Sequence, residues 1–209
     1  MTASLRQASR RVSPNSAGPL HAPLFLDLVA KLNETGPQVV LDLGAASTSM
    51  LAVLGQSNCR AEIADLAHFG GIEYLNSAEP GPALTQAAES LLPNSASYDA
   101  IGLVLCWDLL NYLTLESLAA LMDAIGRRAL PGALAHALIF YSDIEMKERP
   151  GRFVPAADGE LIYHEGPGAA VEAPRYSAED LGNSMGRFVI ERARLLGNGM
   201  QEFLFRLNS

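Results

Sequence analysis

The most constraining stretch of this 209-residue chain is Asp99-Ala-Ile-Gly-Leu-Val-Leu-Cys-Trp107. Its residues are apolar at both parities, so neither side of a strand built from it can face water. An antiparallel edge or surface strand would alternate, whereas the central strand of a parallel sheet, covered on both faces, would not. That one segment commits the chain to an α/β layer architecture with helices on both faces of the sheet. Its neighbours agree. Gln38-Val-Val-Leu-Asp-Leu-Gly44 reads as a second buried strand running into a glycine turn, and residues 60–66 as a third strand with Asp65 at its far end.

Helical periodicity fills the gaps. Leu24, Leu28 and Leu32 with Phe25 and Val29 predict a helix over 22–33, stopped at Gly36-Pro37. Residues 47–55 predict a short helix with Met50, Leu51 and Leu54 inward. Residues 84–92 carry a weaker helical pattern. Thr114 is a candidate N-cap for a helix over 114–129 whose inner face is Leu118, Leu121, Met122 and Ile125. Pro131-Gly132 then turns the chain into a strand at 133–141. Ser177-Ala-Glu-Asp180 has capping-box spacing. Strands at 187–195 and 200–207, joined by Gly197-Asn-Gly199, predict a closing antiparallel hairpin. Residues 142–175, interrupted by prolines and glycines, predict a lid or surface excursion, with Tyr141, Arg149, Arg152, Phe153 and Tyr163 the side chains to inspect for substrate contacts.

An apolar share of 49% in one chain of this length suits a single domain over 19–209, preceded by a disordered tail over 1–18. The net charge is −8, and the first twenty residues hold Arg6, Arg10 and Arg11 with no acid, so the body is more acidic still. A polyanion partner needs lysines and arginines to displace counterions, so no nucleic acid is expected. No apolar run approaches a membrane span. The tail lacks the apolar core of a secretory signal. Of the two cysteines, Cys59 and Cys106, the second lies inside an apolar run, which predicts a buried thiol rather than a disulfide and a cytoplasmic setting, and four scattered histidines offer no zinc spacing. His136 falls mid-strand, where it should be buried and hydrogen-bonded. A homo-oligomer or a protein partner stays open.

Ligands of open parallel sheets bind beyond the carboxyl ends of the strands. Three features meet there: Leu41-Asp42-Leu43-Gly44-Ala45-Ala46, Asp65, and Trp107-Asp108 with Asn111 and Tyr112 one turn on. These segments resemble those of class I S-adenosylmethionine-dependent methyltransferases. The resemblance covers residues 22–207. It implies a Rossmann-like, mostly parallel sheet closed by the C-terminal antiparallel β-hairpin. It also implies S-adenosylmethionine as cofactor, held at Asp42, Gly44, Ala45 and Ala46 and by its ribose at Asp65. The acceptor, a small molecule or a protein, would meet Trp107, Asp108, Asn111 and Tyr112, with Asp108 the candidate for proton acceptance. Within that superfamily, Leu41-Asp-Leu-Gly44, Trp107-Asp-Leu-Leu-Asn-Tyr-Leu113 and Asn198-Gly-Met-Gln-Glu202 resemble a divergent bacterial group.

The chain departs from the family pattern as well. Ala46 and Thr48 stand where the family turn has glycines, no further strand is evident between 67 and 97 where the family has one, and no Asn-Pro-Pro-Tyr follows the central strand. A non-catalytic descendant working as a binding or scaffolding protein is therefore the alternative. The two readings separate structurally. An enzyme presents an open pocket beside Gly44, and a degenerate site has it filled by Met50 or by the 67–97 segment.

Overall fold

The computed structural model describes residues 18–35, 38–94, 100–156 and 160–208. The expected tail lies outside them except for Gly18, which opens a strand.

Six strands form the main sheet: β2 (Val39–Asp42), β3 (Arg60–Ile63), β4 (Ile101–Trp107), β5 (Ala129–Phe140), β10 (Phe188–Leu195) and β11 (Met200–Leu207). Their order is β10-β11-β5-β4-β2-β3, and only β11 runs against its neighbours. The central strand is β4, buried at every residue, as its two-sided apolar run requires. Alternating side chains feed two cores. Leu41, Val104, Cys106 and Ala135 face α3 (Gly71–Ser77), α4 (Pro82–Leu91), α5 (Leu115–Gly126) and α6 (Ala178–Ser184). Val40, Leu103, Leu105 and Leu138 face α1 (Pro23–Thr35) and α2 (Thr48–Gln56). Helices thus cover both faces, and the order matches a Rossmann-like sheet closed by an antiparallel hairpin.

Local chemistry explains the helix starts. Ser47 and Thr114 each accept a backbone N–H of the first turn, and Ser177 with Asp180 forms the reciprocal capping box. On α2, Met50 and Leu54 are buried four residues apart, whereas Leu51 is 46% exposed, contrary to the expectation. A residue one position on lies about 100° around the helix, outside the inward stripe.

Between residues 64 and 94 the described chain holds α3 and α4 and no strand, as the sequence suggests, so β3 is the sheet edge. Two other expectations change. Strand β5 starts at Ala129 and carries Pro131-Gly132 within it; the jump in register from Ile101–Ala129 to Leu103–Leu134 absorbs the proline as a bulge. Residues 142–175 are a built strap. Strands β6 (Glu145–Lys147) and β9 (Ala170–Glu172) pair with each other, while β7 (Arg152–Pro155) and β8 (Leu161–His164) form a small sheet with β1 (Gly18–Leu20).

Candidate functional site

The carboxyl ends of β2 and β4, with the turn that follows β3, converge under the strap. Two of the residues there hold backbone conformations that side chains disfavour: Asp65 with φ of 40° and Trp107 with φ of 51°. Aspartate tolerates this region, but a bulky indole is an outlier that its surroundings must enforce. The enforcement is visible. Trp107 Nε1 donates to Asp42 Oδ1 at 2.7 Å, and the Gly44 N–H donates to the same oxygen at 2.9 Å. The indole rests on Phe25 and, from the strap, is stacked by Phe153, which in turn stacks on Tyr163.

Gly44 is required by this arrangement. A Cβ there would lie 2.7 Å from Trp107 Cδ1 and 3.1 Å from its Nε1. Asp42 is itself 1% exposed. Burial pushes its carboxyl up to about 6 against the two hydrogen bonds that lower it, with the nearby Asp65 charge raising it further.

A cleft of about 200 Å³ opens beside this turn, walled by Leu43, Gly44, Ala45, Asp65, Trp107 and Asp108. Ala67, His68, Cys106, Leu109 and, from the strap, Arg149, Pro150, Gly151, Arg152 and Pro167 complete it. The strap is tied across the opening at three points. The Gly151 N–H donates to Asp108 Oδ2 at 2.9 Å, the Tyr112 hydroxyl donates to the Arg149 carbonyl at 3.1 Å, and Arg152 donates to the Ala46 carbonyl at 3.1 Å. Asp108 is buried, and its other oxygen, Oδ1, has no hydrogen-bond partner among the described residues. Burial pushes this carboxyl up to about 7, although the amide of Gly151 and its own backbone N–H pull the other way.

The structure therefore gathers Gly44, Ala45, Asp65, Trp107 and Asp108 in one cavity. Asp42 stands behind it and reaches it only through Trp107 and Gly44. Ala46 is exposed and does not line the cleft. Tyr112 is spent on the strap. Asn111 is a structural residue: its amide donates to the Asp108 and Leu138 carbonyls, and its oxygen accepts the Phe140 N–H. That network saturates the side chain and ties the 3₁₀ turn at 109–112 to β5. Sequence reasoning missed Pro150 and Gly151; the only local sign of them is a proline–glycine dipeptide, which marks a turn without saying what it covers. His136 is buried against Glu202, as a mid-strand histidine should be, and the Cys106 thiol is pushed up by burial and by the Asp42 charge, leaving it inert. Among the described residues no group of three acidic, histidine or cysteine side chains could hold a metal, and no helix is long and apolar enough to cross a membrane.

No protein-family model and no curated protein sequence matches the chain. Solved structures do. An S-adenosylmethionine-dependent methyltransferase from Clostridium acetobutylicum superposes over 88% of this chain and 90% of its own, with a TM-score of 0.53 and 14% identity. The fold is that of the class I methyltransferases. A 1,6-didemethyltoxoflavin-N1-methyltransferase from Burkholderia thailandensis also matches over 90% of this chain and 80% of its own, at TM-score 0.48 and 16% identity. The N-methyltransferase NodS from Bradyrhizobium japonicum matches over 88% and 86%, at TM-score 0.47 and 10% identity. The last two were solved with S-adenosylhomocysteine.

Proposed function

We propose that the chain is a cytoplasmic methyltransferase that takes its methyl group from S-adenosylmethionine and passes it to a small-molecule or protein acceptor. The observation that carries this reading is the cleft beside Gly44. It is open, Met50 is buried away from it, and the 67–97 segment contributes only Ala67 and His68 to its wall. A degenerate site would be filled there.

The residues present suit the donor. Leu43, Leu109 and Pro150 give apolar surface, and Asp65 at the lip has a carboxylate able to accept from two vicinal ribose hydroxyls. The uncompensated Asp108 oxygen suits a cationic ligand better than a neutral one. The departures at Ala46 and Thr48 fall outside the cleft wall, so their side chains do not narrow it. The bound donor supplies a methyl group already activated by its sulfonium. What the chain contributes is alignment and the exclusion of water. Trp107, fixed by Asp42, forms the rear wall, and the strap closes the front through Gly151.

Calorimetric titration with S-adenosylmethionine and S-adenosylhomocysteine tests this. Micromolar binding is expected, weakened at least about tenfold in Asp65→Ala, which corresponds to the loss of about 1.4 kcal/mol. No heat from either ligand at millimolar concentration overturns it and leaves the scaffolding alternative.

A further inference from the structure

Asp108 occupies an unusual position for a carboxyl. It ends the central strand, lies in the wall of the cleft and is 1% exposed. Oδ2 is satisfied by the Gly151 amide, while Oδ1 is sealed from water with no partner among the described residues. Leaving a buried polar atom unpaired is destabilising, and such an atom is expected to have a use.

No described group around it pairs with Oδ1. Tyr112, from the 3₁₀ turn, and Tyr163, from β8, are phenols pushed up by burial and then by the Asp108 charge, so they stay neutral. Glu165, which acts on both phenols, is paired with Lys147. His68 and Asp65 come from the turn after β3, and Arg149 and Arg152 from the strap, where Arg152 donates to the Ala46 carbonyl. Behind the wall, Asp42 is engaged by Trp107. Burial holds the carboxyl up to about 7.

A cation delivered into this cleft changes that balance. The cavity is only about 200 Å³, and Gly44, Ala45 and Asp108 share its wall, so a ligand seated over the first turn lies against the carboxyl. An adjacent positive charge favours the ionised form of an acid. We propose that Asp108 takes the proton of the methyl acceptor, that the sulfonium charge of the donor switches it on, and that the acceptor is accordingly an O–H or N–H compound. This rests on the donor reading above.

The step balances. Asp108, as carboxylate, takes the proton from the acceptor oxygen or nitrogen. The lone pair of that atom forms the bond to the methyl carbon, and the carbon–sulfur bond breaks with its electron pair retained on sulfur. The sulfonium becomes a neutral thioether as the carboxylate becomes a neutral acid. Both halves of the attraction thus vanish together, which loosens the hold on the spent donor.

Proton counting by calorimetry tests the proposal without knowing the acceptor. Wild-type protein is titrated at about pH 7 with S-adenosylmethionine and with S-adenosylhomocysteine, each in buffers of different ionisation heat. The two ligands share their amino and carboxylate groups, so only the sulfonium separates them. The sulfonium ligand is expected to release about half a proton more than the thioether, a difference gone by about pH 9. Asp108→Asn should abolish the difference. Equal release by the two ligands, or a difference that survives in Asp108→Asn, overturns the proposal; the wild-type comparison decides alone if the variant does not fold. If neither ligand gives heat, the donor reading has failed, and this proposal with it. That outcome is read from binding and not from the proton count.

Discussion

At the scale of single residues, the site is governed by what Trp107 demands of its neighbours. Its indole crosses Gly44 so closely that Gly44→Ala must push the ring off Asp42 Oδ1. Overpacking of this kind destabilises by about 1–3 kcal/mol. Urea denaturation followed by circular dichroism should show that loss, and a Gly44→Ala protein as stable as wild type would mean the ring has room to move. Asp108 makes a prediction of the opposite sign. Its folded-state value, about 7, and that of Asp42, about 6, stand above the ordinary 3.8. An acid held up in this way binds its proton more tightly folded than unfolded. Its contribution is whole below about pH 4 and is lost as the pH rises through about 6 to 7. Asp108→Asn should therefore gain on wild type between about pH 5 and about pH 8, by roughly 2–4 kcal/mol. Parallel stability profiles for the two proteins would sink this.

At the scale of elements, one buried carboxylate joins three of them. Glu202 of β11 accepts the N–H groups of Leu24 and Phe25 at the start of α1, at 2.9 and 2.8 Å, and meets His136 Nε2 of β5 at 2.9 Å. A negative charge at a helix N-terminus is well placed, and here it anchors α1 to the sheet. Glu202→Ala strands two backbone donors and a buried histidine, so a loss of about 3–5 kcal/mol is expected, with faster hydrogen exchange along α1. Exchange in α1 unchanged from wild type would count against the anchor. None of this shows in the sequence, because Glu202 and Leu24 are 178 positions apart. What the sequence did disclose was local: the two-sided run of β4, the Thr114 and Ser177 caps, and the hairpin at 197–199. The strap escaped because its strands are three or four residues long and two of its pairings, β1 with β8 and β6 with β9, join distant segments. The site shows the same division. Gly44, Asp65, Trp107 and Asp108 were legible as strand ends, whereas Gly151 and the hidden position of Asp42 depend on contacts between distant segments.

At the scale of the whole molecule, a six-stranded sheet with helices on both faces carries a strap folded over its carboxyl edge. The two bodies meet where Phe153 lies parallel to Trp107, with ring centroids 5.6 Å apart, and where Gly151 touches Asp108. Gly151 has no room to be anything else, since a Cβ would fall 2.2 Å from Tyr163 Cε2. Arg149, Pro150, Gly151 and Arg152 of that seam line the cleft beside Trp107, so a ligand bound there touches it. Trp107 is the single tryptophan of the chain. The protein therefore carries its own optical gauge, with an indole wired to a carboxylate in the wall of the cleft. Its fluorescence should shift on titration with S-adenosylhomocysteine, with the same midpoint as the calorimetric curve and no added dye. Emission that stayed constant while heat was evolved would locate the ligand somewhere other than this cleft.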